Sequence, residues 1–97
     1  MTLEKLQGEV IQVSAGGRAH IGVLQGVDLG VLKLERVVML VQTPQGTAME
    51  RLVDGPFEDF ILIGGQFRAF KIKENSKVMD LYKATVAGIV LPEGGGN

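Results

Sequence analysis

The sequence predicts a small, mainly β domain: a five-stranded, strongly bent antiparallel open barrel, with a short helical turn ahead of it and a helical extension behind. Three observations carry that prediction. A chain of 97 residues has room for one compact core and no second lobe. Short apolar runs rich in β-branched residues are separated by Gly- and Pro-containing turn signals. Gly22 falls in the middle of a strand pattern, where a missing side chain marks a sharp bend or a close backbone approach. Five short strands are too few to close a barrel, so an edge stays exposed.

Each element follows in order. Leu3 to Leu6 makes one helical turn, with Thr2 as its cap and Glu4 near its positive end. Gly8 stops it, and Val10-Ile11-Gln12-Val13 begins the first strand. Ser14 to Gly17 is a turn, and Gly16-Gly17 suits a tight hairpin. The second strand alternates Ala19, Ile21 and Val23 against His20, Gly22 and Leu24, and Gly26 to Gly30 turns the chain again. A long third strand runs from Val31 to Gln42; beyond Val37 it is apolar on both faces, which predicts a bend into the core. Thr43 to Thr47 reads as a turn and Arg51 to Pro56 as irregular chain. Phe57 to Ile63 is the fourth strand, Gly64-Gly65 a corner, and Phe67 to Ile72 the fifth. Asn75-Ser76-Lys77 caps a helix reaching about Ala87, with Val78, Leu81, Tyr82 and Thr85 on one stripe and Gly88 as its stop. A free helix so short is marginal in water, so the stripe predicts docking onto the barrel or a neighbouring subunit. Ile89-Val90-Leu91 could add a strand before Pro92, and Gly94 to Asn97 reads as a frayed end.

The side-chain inventory argues against catalysis. There is one His (His20), no Cys, no Trp and one Tyr (Tyr82). That removes disulfides, thiolate metal sites and cysteine nucleophiles. No His-x-x-His pair, calcium loop or Gly-x-Ser-x-Gly elbow occurs, so neither catalytic nor metal-ligating residues are expected. Glu58 and Asp59 are the sole adjacent acids, and strand neighbours point to opposite faces rather than working as a couple. No apolar stretch approaches the ~20 residues that span a bilayer. The N-terminus lacks a signal-peptide core, so a cytoplasmic protein without cofactor or membrane contact is expected.

The pattern from Leu3 to Ile72 resembles the Sm-like family, ring-forming RNA-binding proteins with a small SH3-like barrel. Gly17-Arg18, then Gly22-Val23-Leu24-Gln25-Gly26-Val27-Asp28, then Leu32-Lys33-Leu34-Glu35 follow the register of the family's first motif. Leu62-Ile63-Gly64-Gly65-Gln66-Phe67 is similar to its second, Ile-Arg-Gly before an apolar strand. The resemblance implies an Sm-like barrel over residues 1–74 and an extension over 75–97. It implies a homo-oligomeric ring of about five to seven subunits, closed head to tail as the fourth strand of one subunit pairs with the fifth of the next. Phe60, Ile61, Leu62, Ile63, Phe67, Ala69 and Phe70 would form that interface.

The same resemblance implies single-stranded RNA as a partner, held by Asp28, Leu29, Gly30, Gly64, Gly65, Gln66 and Arg68. The family's base pocket, however, uses a stacking ring, an asparagine and an arginine. Here Leu29 or Gly30, Val31 and Gly64 stand at those positions, so a π-face and a planar edge reader are missing. Net charge is −1, unlike a chain that captures polyanions by bulk charge. Positive charge gathers late, at Arg68, Lys71, Lys73 and Lys77, as an edge-strand guard or a docking patch. Two functions follow: a non-catalytic ring binding RNA with altered specificity, or a structural ring that keeps the fold without RNA.

Overall fold

The computed structural model describes residues 2–53 and 56–88. A 3-10 helix over Leu3–Leu6 leads into six strands: β1 Val10–Ala15, β2 Arg18–Asp28, β3 Val31–Thr43, β4 Gly46–Arg51, β5 Phe60–Ile63 and β6 Arg68–Lys71. Helix α1, Lys77–Ala87, follows. The strands form one antiparallel sheet in the order β4-β3-β2-β1-β6, and β5 lies beside the first half of β3. The fold is mainly β, with an open sheet and one C-terminal helix.

The sheet carries a core on each face. Alternation in β1 sends Ile11 and Val13 one way and Val10 the other. The first core joins Ile11 and Val13 to Leu6, Leu24, Leu32, Leu34, Val37 and Ile63. The second joins Ile21, Val38 and Ile72 to Met79 and Tyr82 of α1. Adjacent Val37 and Val38 therefore feed opposite cores, which is why this stretch is apolar on both faces.

Two devices bend the strands. At Gly22 the β2–β3 register shifts, and a β-carbon there would lie 2.9 Å from the Glu35 carbonyl oxygen and 3.3 Å from Leu34 Cβ. Only glycine allows so close an approach. On β3, Arg36 has a φ of 51°, and its surroundings satisfy the kinked backbone. The Arg36 and Val37 N–H groups donate to the carbonyl and carboxylate oxygens of Asp59, Leu52 N–H donates to the Val37 carbonyl, and Tyr82 Oη donates to the Arg36 carbonyl at 2.6 Å. Arg51 sits 3.6 Å from the same Asp59 carboxylate.

Several sequence expectations need correction. The described residues form six strands, not the five expected: β4 forms a hairpin with the second half of β3, where a turn and irregular chain were expected. Its intermediate and exposed residues alternate too weakly to announce a strand. The expected fourth strand, Phe57 to Ile63, shortens to Phe60–Ile63, and Phe57 is exposed. The expected fifth, Phe67 to Ile72, becomes Arg68–Lys71. β2 continues to Asp28, leaving Leu29-Gly30 as the whole turn. In α1, Ser76 Oγ accepts from Met79 N–H and Gly88 caps the other end with φ 72°, as the sequence predicts. The buried stripe is rotated, however: Met79, Tyr82 and Ala84 face inward while Val78 and Leu81 are exposed. Ile89 to Leu91 and Gly94 to Asn97 lie outside the described residues.

Candidate nucleic-acid interface

Two loops bring most of the expected binding residues to neighbouring positions. Asp28 pairs with Val31 across the Leu29-Gly30 turn, whose φ values of 49° and 77° are both positive. Such a turn matches the twist of a hairpin but suits Asn or Gly better than Leu. Leu29 is nonetheless there, 95% exposed. One residue past the Leu32–Ile63 pair of β3 and β5, a β-carbon on Gly64 would lie 3.5 Å from Val31 Cγ2. The hairpin tip and the β5–β6 loop are thus neighbours.

From there the surface divides. Gln25, Gly26, Val27, Asp28, Leu29 and Val31, with Lys33, Glu35 and Leu62, line one open depression of about 720 Å³. Gly65, Gln66 and Arg68 line another, of about 660 Å³, with Phe67 and the β1–β2 turn. The seven expected residues therefore do not converge on one pocket. Ser14, Gly16 and Gly17, absent from the expected site, join Gly65, Gln66 and Arg68 because Ser14 pairs with Arg68 across β1 and β6. A glycine pair reads from sequence as a hairpin alone, so that neighbourhood had no local signal.

The expected interface residues split in the same way. Ile63 belongs to the first core, and Ile61, Phe67 and Ala69 pack against it. Phe60 is half-buried, with Lys33 Nζ 4.5 Å above its ring. Leu62 on β5 and Phe70 on β6 remain 62% and 53% exposed. Among the described residues β5 pairs only with β3 and β6 only with β1, so each presents a free edge.

Burial, reinforced by the charge of Arg18, pushes the His20 imidazole below its usual value, and its Nδ1 is buried without a partner. Burial pushes the Tyr82 phenol up, against the opposing influence of Arg36. Among the described residues no three His, Asp or Glu side chains converge as a metal site would require, and no helix is long and apolar enough to cross a membrane. No family model matches the chain, and neither a curated protein nor a solved structure is found to be similar to it.

Proposed function

We propose that this chain is an Sm-like barrel that assembles into a closed homo-oligomeric ring and, without catalysing a reaction, binds single-stranded RNA with relaxed base specificity. The observation that carries the reading is that the free edges of the sheet include β5 and β6, which bear exposed Leu62 and Phe70. An edge strand with unpaired backbone groups is a template for pairing, and two such edges on one subunit make a head-to-tail contact that a suitable rotation closes. The nearness of the two loops at Val31 and Gly64 supports the RNA part. In a ring, each subunit would add one weak loop surface, and avidity would multiply it. A second reading, a scaffold ring without RNA, is favoured by Leu29 at 95% exposure where a stacking ring is needed.

Native mass spectrometry with fluorescence anisotropy tests both parts. The chain is expected to run as one closed oligomer, and Leu62→Asp or Phe70→Asp to run as monomer. Oligouridylate and oligoadenylate are expected to bind with similar affinity, falling as salt rises. A ring that binds neither oligonucleotide establishes the scaffold reading, and a monomeric native chain overturns both.

A further inference from the structure

We propose that the depression between the β1–β2 turn and the β5–β6 loop is a phosphate-binding site. The inference deepens the RNA reading, on which it rests for one source of the phosphate, a phosphodiester; the other is a free phosphate ion. Its location differs from the Asp28–Val31 tip, which contributes nothing to this depression.

The lining carries the argument. In a chain of net charge −1, the one charged residue here is Arg68, and no carboxylate contributes. Among the described residues Lys33, Arg51 and Lys71 lie within ion-pair distance of acids, whereas Arg68 does not. An unpaired guanidinium offers a planar fork that matches two phosphate oxygens. Ser14 and Gln66 line the same depression.

Backbone donors complete the set. None of the N–H groups from Gly64 to Phe67 makes a backbone hydrogen bond among the described residues. These donors are therefore left to water or to a ligand. Gly16, Gly17 and Gly65 all have positive φ, and a β-carbon on any of them would meet nothing within 4 Å. At these three positions no side chain covers the backbone, which leaves room for an anion to approach peptide N–H groups. An acceptor-only group with several oxygens fits this donor set, and a cation does not.

The test uses the full chain, amide-resolved NMR, and two probes in separate titrations, inorganic phosphate and oligouridylate. Either probe is expected to shift the amides of Gly16, Gly17, Gly65 and Gln66 saturably. Arg68→Gln is expected to weaken that response by about tenfold, the loss of one charge-assisted contact. Gly16→Asp and Gly16→Asn form the sharper pair. Both residues tolerate the positive φ of this turn position, so both variants fold, and they differ only in charge. Asn is expected to bind as the native chain does, Asp at least about tenfold more weakly. A response to phosphate without one to oligouridylate supports the site and removes RNA as its source. Oligouridylate shifts confined to residues 28–31 overturn the site and leave the RNA reading standing. No response to either probe, or equal binding by the Asp and Asn variants, also overturns it.

Discussion

The two cores of this small sheet are built differently, although only one layer of backbone separates them. The first is made almost entirely by strands: Ile11, Val13, Leu24, Leu32 and Leu34 have no exposure at all, and strand pairs such as Leu24 with Leu34 set their positions. The second depends on one helix. Without Met79 and Tyr82, the side chains of Ile21, Val38 and Ile72 would face solvent on an open sheet. A curved sheet can close one face upon itself by bending, but its convex face needs a separate element to cover it. Bend and cover are linked here, because Tyr82 also donates to the Arg36 carbonyl at the β3 kink.

Tyr82→Ala is the largest single way to break the second core. The ring is almost fully buried, so its removal is expected to cost about 3–5 kcal/mol in chemical unfolding. Tyr82→Phe isolates the hydrogen bond and is expected to cost about 0.5–1.5 kcal/mol. Equal losses from the two variants would show that the hydroxyl, not the ring, holds the helix. Equal stability of Tyr82→Ala and the native chain would show that the helix is not needed to cover the sheet.

Gly22→Val tests the bend that lets the first core close. The added side chain begins 2.9 Å from a backbone oxygen, which cannot swing aside as a flexible side chain could. A loss of about 1–3 kcal/mol by thermal or urea unfolding is expected from overpacking and lost curvature. A native-like melting temperature would mean that β2 and β3 separate freely there, so that only the second core constrains the curvature.

The difference between the cores also explains what the sequence revealed. Gly22, the Gly16-Gly17 hairpin, the caps of α1 and the strands that carry most of the first core were legible, because each is a local pattern: a period of two, a turn pair, a Ser-to-Gly span. β4 was not, since Gly46 to Arg51 lies at the sheet edge with no fully buried residue to set a period. Asp59 was read as half of an adjacent acid pair, yet its role is to satisfy the β3 kink 22 residues away in sequence. The helix stripe was misjudged by about one residue around the helix: Val78 and Leu81 are as apolar as Met79, and only the packed sheet decides which of them turns inward. The same holds for the binding surface. Gly65 and Arg68 were named, but their neighbours Ser14 and Gly16 come from a distant hairpin that only the β1–β6 pairing brings near.

The smallest expected effect comes from His20, which pairs across β2 with Val13 of β1 on one side and Met39 of β3 on the other. Its Nδ1 is buried without a partner, and burial, then the charge of Arg18, lowers its affinity for a proton. The unfolded chain, with an imidazole near its ordinary 6.5, therefore binds more protons than the native state between the native and unfolded values. Stability rises with pH wherever the unfolded state holds more protons. The native chain is thus expected to be most stable above about pH 6.5 and to lose stability as pH falls through that value. The loss should level off once the pH drops below the lowered native value. His20→Leu removes the titration and keeps an apolar side chain between Val13 and Met39. Urea unfolding of both chains from neutral to mildly acidic pH should show the native curve falling and the variant's staying flat. Parallel curves would place the acid sensitivity elsewhere and show that the imidazole reaches water in the native state.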